Sequence, residues 1–127
     1  MKKKKNLKRP EREKISAMLL NVAEGYIDIG TTIEEKENLL RSACVAWNTS
    51  CLPFINREPT IKQYIEEFKT INNFDEETAK AHEGDIRLLI EQKETLYPDV
   101  NIQIVNARIE DAGEEYRVLV ASVIGGI

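Results

Sequence analysis

Cysteine is scarce in this chain: Cys44 and Cys51 are the only two among 127 residues. Two thiols cannot build the disulfide framework of a small secreted scaffold, and we expect both to be reduced in a cytoplasmic protein. Glycine and proline number six and four, which excludes collagen-like or low-complexity chains. There is a single histidine, His82. Zinc sites usually draw on closely spaced Cys and His pairs, and none is present. No apolar run approaches the roughly 20 residues needed to cross a bilayer. Neither phosphate-cradling motif, G-x-x-x-x-G-K-[ST] or G-x-G-x-x-G, occurs. No period of 20–50 residues repeats, so a solenoid is not expected.

What is present suits one folded unit. The length fits a single domain, and 42% hydrophobic with 31% charged residues supports a packed core. The net charge of −4 hides a strong asymmetry. Residues 1–14 hold eight Lys/Arg against Glu11 and Glu13, for +6, while the remaining 113 residues carry 10 basic and 20 acidic groups, for −10. Residues 1–9 are therefore expected to be a disordered basic arm, with residues 10–127 forming the domain. The segment after the arm fails as a secretory signal. Its apolar stretch begins late, follows two glutamates and is interrupted by Asn21. Size and texture suggest a bacterial-type domain.

The patterning predicts four helices. Ile15, Met18, Leu19, Val22, Ala23 and Tyr26 fall on one helical face, with Gly30 as a C-terminal stop. Thr31 with Glu34, or Thr32 with Glu35, offers a capping box for a second helix. That helix stripes Leu39, Leu40, Ala43, Cys44, Trp47 and Cys51 along one side and ends before Pro53. The short Gly30-Thr31 joint predicts an antiparallel helix pair. Residues 53–59 (PFINREP) read as a connector, and Thr60 as the cap of a short third helix bearing Ile61, Tyr64, Ile65 and Phe68. A fourth helix is expected from Asn73 or Asp75 to Pro98. It is weakened by Gly84 at about 1 kcal/mol.

After Pro98 the period changes to two. Val100, Ile102 and Ile104 alternate with polar residues; the phase then slips to Val105, Ala107 and Ile109, as a β-bulge would produce. Residues 110–115 (EDAGEE) are expected to turn, with a second strand from Tyr116. The fold class is α+β: about four amphipathic helices, then a C-terminal antiparallel β-hairpin. A lone hairpin is marginal in water. Residues 119–124 are apolar on both faces, so pairing into a larger sheet by dimerisation is one expected outcome, and cover by helices in a monomer is the other. Tyr116, Val118, Leu119, Val120 and Val123 are the candidate self-association residues.

The side chains that carry chemistry do not assemble in sequence. Cys44 and Cys51, if on one helix, lie about 10.5 Å apart, beyond the roughly 7 Å reach of a disulfide. They share the apolar stripe with Trp47 and read as core residues. A Cys–His hydrolase would need His82 beside one of these thiols, and only Arg41 stands nearby in sequence to activate it. Glu24 and Asp28 pair at i, i+4, but without a Glu-x-x-His the carboxylate di-metal pattern fails. Asn48, Thr49 and Ser50 follow Trp47 and are expected to satisfy backbone carbonyls and the indole N–H. The terminal Gly125-Gly126-Ile127 reads as a frayed end. No catalytic, metal or cofactor site is expected. The expected function is non-catalytic, through contacts with a protein partner, acidic helix faces meeting a basic surface. The alternative is non-specific nucleic-acid association through Lys2, Lys3, Lys4, Lys5, Lys8 and Arg9. These can neutralise phosphates but, with no aromatic among them, cannot stack bases.

Overall fold

The computed structural model describes residues 14–113 and 115–124. Four helices, α1 (Ile15–Ile27), α2 (Ile33–Ser50), α3 (Phe54–Asn72) and α4 (Glu76–Leu96), precede strands β1 (Ile102–Ala112) and β2 (Glu115–Ile124). The strands form a two-stranded antiparallel sheet. The chain is α+β in the order that its patterning predicts.

The apolar face of α1 is buried at Met18, Leu19, Val22, Ala23 and Ile27. The stop after it works differently from the expected left-handed cap, because among the described glycines only Gly113 has positive φ. A Cβ at Gly30 would instead stand 2.9 Å from the backbone nitrogen of Lys36. Glycine is needed there because the loop presses against the first turn of α2. That turn is capped as the second of the two expected boxes. Thr32 Oγ1 accepts from the Glu35 N–H at 3.0 Å, and Glu35 Oε1 accepts from the Thr31 N–H at 2.8 Å. Bonds from the Thr31 N–H and hydroxyl to its Oε1 hold the Glu35 carboxyl below the usual carboxylate range.

The expected connector at residues 53–59 is helical: α3 begins at Phe54, with Pro53 in the N-cap position and Pro59 inside the helix. Two effects hide this helix from its sequence. Pro59, the sixth residue of the helix, interrupts the pattern and cannot donate to the Ile55 carbonyl one turn back. Phe54 and Ile55 are 82% and 81% exposed, so the first turn shows no buried stripe. Arg57 anchors the segment. It donates to the carbonyls of Ser50 at 2.7 Å and Leu52 at 3.2 Å and pairs with Glu94 of α4. The far end closes at Asn73 with φ 56°, a conformation asparagine tolerates better than most residues. Asp75 then caps α4 by accepting from the Thr78 N–H at 2.8 Å.

Trp47, Leu19, Ile27, Leu40 and Ile86 are the largest fully buried side chains. The core thus lies where α1, α2 and α4 meet, with Ile104, Ile109 and Val118 of the sheet closing it. Lys93 is only 2% exposed; its ammonium donates to the Val100 carbonyl at 2.5 Å and lies 5.2 Å from the Trp47 ring centre. This closes the link from α4 into β1, and burial lowers the Lys93 pKa. In the sheet the register shifts between Ile104 and Asn106. Val105 is the extra residue and is exposed, which matches the predicted phase slip. The turn is tighter than residues 110–115, because the strands stay paired to Ala112 opposite Glu115.

The indole N–H of Trp47 donates to the Ile102 carbonyl at 2.6 Å. Trp47→Phe keeps most of the ring but leaves that carbonyl without its partner. We expect a loss of about 1–3 kcal/mol in urea unfolding, and a loss below about 0.5 kcal/mol would show that this bond contributes little.

Candidate functional site

Two arrangements of polar groups stand out. The first lies along β1. Ile104 turns both its N–H and its C=O toward α2, and Asn48 meets both: its Oδ1 accepts at 2.7 Å and its Nδ2 donates at 2.8 Å. Trp47 takes the carbonyl of Ile102, and the Glu37 carboxylate accepts from the Ile109 N–H at 2.9 Å. One face of α2, at positions 37, 47 and 48, therefore occupies the outer edge of β1. Asn48 was expected to serve local helix carbonyls or the Trp47 indole N–H; instead Asn48 and the indole N–H both reach across to the sheet. Thr49 and Ser50 do serve helix carbonyls, those of Val45 and Trp47.

This fixes the opposite edge by geometry. In an antiparallel pair, a residue whose backbone points away from its partner strand faces one that also points away. Ile104 pairs with Ser122 and Ile109 with Val118. The N–H and C=O groups of Val118, Val120 and Ser122 thus face outward from β2. Among the described residues, no hydrogen bond from another element reaches these groups. The predicted self-association residues all lie on this strand. Val118 is buried against the helices, Tyr116 and Val120 pack partly against the core, and Val123 is exposed on the open face. The Tyr116 hydroxyl donates to Asp28 Oδ1 at 2.8 Å, tying the start of β2 to the end of α1. The candidate arm residues, Lys2, Lys3, Lys4, Lys5, Lys8 and Arg9, lie outside the described residues.

The second arrangement joins α2, α3 and α4. Ser42 Oγ and Tyr64 Oη are 3.0 Å apart, Tyr64 Oη lies 3.0 Å from His82 Nε2, and Ser42 Oγ lies 3.4 Å from the same nitrogen. Burial pushes the Tyr26 hydroxyl of α1 up to about 12. Helices α2, α3 and α4 each contribute one member of the network. The His82 ring stacks on Phe68, with centroids 3.9 Å apart. Above it opens a groove of about 590 Å³ between α2 and α3, with Val45, Phe68, Ile71 and Phe74 among its lining residues. Ile71 is 81% exposed there. The sequence pattern raises His82 as a possible partner for a thiol; its actual partners are hidden, because Ser42 and Tyr64 carry no motif and meet only after three helices pack.

His82 bonds to hydroxyls, and its neighbours in this network do not include a thiol. Burial pushes the Cys44 thiol up to about 12, which leaves almost no thiolate at neutral pH. Cys51 points its sulfur toward the carbonyls of Val100 and Ile102. Among the described residues, no group of three or more His, Cys, Asp or Glu could hold a metal ion, and no helix is long and apolar enough to cross a membrane.

Burial lowers the His82 pKa below its ordinary 6.5, against a smaller raising effect from Asp85. The folded state therefore favours the neutral ring, whose Nε2 can accept the Tyr64 hydroxyl proton. The sign follows from linkage. Stability from this group is full above pH 6.5 and is lost as pH falls from there through the lowered value. We expect wild type to lose more stability than His82→Gln between pH 7 and pH 5, measured by urea unfolding at each pH. Parallel losses in the two proteins would contradict it. Cys44 is partly buried and should react with iodoacetamide much more slowly in the folded chain than in the unfolded one; equal rates would contradict a thiol held protonated by its surroundings.

No family model, curated protein or solved structure matches this chain.

Proposed function

We propose that this protein is a non-catalytic module that acts through protein contacts, with its C-terminal hairpin as the contact surface and a homodimer as the simplest product. The observation that carries this reading is the unequal treatment of the two sheet edges. The β1 edge is engaged by Glu37, Trp47 and Asn48, while among the described residues no hydrogen bond from another element reaches the outward groups of β2. An open strand edge is a template for pairing with another chain. The exposed Val105 and Val123 add apolar surface to the same hairpin.

A second reading rests on the charge of the first 14 residues, +6 against −10 for the remainder. Such an arm can neutralise phosphates without reading sequence. The two readings separate cleanly. Light scattering on the full chain should show a mass of twice 14.5 kDa, and a monomer at the highest soluble concentration contradicts the homodimer. In a gel-shift assay with a mixed-sequence polynucleotide, the arm reading expects binding that falls steeply with salt and vanishes when residues 1–9 are deleted. Binding that survives the deletion removes it.

A further inference from the structure

We infer that the dimer forms through the outer edge of β2 alone, as an antiparallel β2–β2 pair about a two-fold axis near Val120, and that the α2 clamp on β1 stops assembly at two chains. This deepens the homodimer reading and rests on it.

The occupant is a second copy because the edge is complementary to itself. Outward backbone groups occur at every second residue, Val118, Val120 and Ser122, as deduced from their β1 partners. Antiparallel pairing about Val120 sets Val120 opposite its own copy and Val118 opposite Ser122. Every outward donor in that stretch then meets an outward acceptor. No charged residue lies between Val118 and Ile124. Two copies can therefore approach without like charges opposing each other across the seam, a repulsion that edge strands commonly use to prevent such pairing. The nearest charge, Arg117, falls opposite Val123 in this register. The two-fold also keeps the side chains of Tyr116, Val118 and Val120 on one face in both copies, which is the face that packs against the helices. The result is a four-stranded sheet with all helices on one side.

Closure follows from the other edge. A dimer joined through β2 presents β1 at both ends, and there Ile104 already spends both backbone groups on Asn48, Ile109 its N–H on Glu37 and Ile102 its carbonyl on Trp47. A third chain meets an edge whose backbone groups at Ile102, Ile104 and Ile109 are already engaged by α2.

The test uses full-length protein and two variants. Val120→Pro removes an outward N–H and no bond to β1, a placement that strand edges tolerate. Ser122→Lys leaves the backbone intact and puts a charge at an exposed position of the seam. Light scattering reads the mass, and amide spectra of β1 check the hairpin. We expect wild type to be a dimer and each variant to show half its mass, with the hairpin signals retained. If Val120→Pro loses the hairpin, Ser122→Lys alone decides: a monomer supports the edge, a dimer overturns it. A dimeric wild type with two dimeric variants overturns the edge assignment and leaves the homodimer standing on another surface. A monomeric wild type removes the homodimer reading itself. Wild-type species larger than a dimer overturn closure.

Discussion

The structure depends most on the way α2 holds β1. A two-stranded hairpin has little to stabilise it by itself, since each strand has only one neighbour. Here the helix substitutes for a third strand. Asn48 meets the Ile104 backbone with both ends of its amide, and Trp47 and Glu37 extend the contact in both directions. The same helix packs on α1, α3 and α4. The hairpin is thus fixed to the centre of the molecule by hydrogen bonds as well as by the burial of Ile104, Ile109 and Val118. The bulge at Val105 belongs to this arrangement. It re-phases β1 so that Ile104 and Ile109, five residues apart, both send side chains into the core and backbone groups toward α2.

Polar groups elsewhere in the interior follow the same rule that burial demands satisfaction. Lys93 is closed off by the Val100 carbonyl. Ser42, Tyr64 and His82 satisfy one another, one from each of α2, α3 and α4. Such a network favours one relative placement of these three helices over others of similar apolar burial, because any slip leaves hydroxyls without partners. Surface ion pairs add less. Glu58 and Glu83 converge on Arg87 and hold its pKa above the usual value, but exposed pairs of this kind contribute little net stability.

Much of the fold was legible in the sequence because it is written in periodicity. The stripes of α1 and α2, the choice of capping boxes at Thr31 and Thr32, the start of α4 near Asp75 and the phase slip after Ile104 are all local patterns. Phe54–Pro59 was not legible: exposed apolar residues and an internal proline mimic a loop, and the anchor, Arg57, acts through carbonyls of a preceding segment. Gly30 was placed correctly at a helix end for the wrong reason, since a backbone approach of 2.9 Å leaves no trace in a pattern. The candidate site was half legible. Residues 119–124 stood out by being apolar on both faces. Which edge is open could not be read, because it depends on Asn48 and Glu37 reaching residues 56 and 72 positions away. The polar network was hidden for the same reason.

Amide hydrogen exchange at Ile104 tests the clamp most directly. Its N–H points away from β2, so in an ordinary edge strand it would exchange quickly. We expect strong protection in wild type, comparable to amides bonded between β1 and β2, and fast exchange in Asn48→Ala with the helices intact. Rapid exchange at Ile104 in the folded wild-type protein would contradict it.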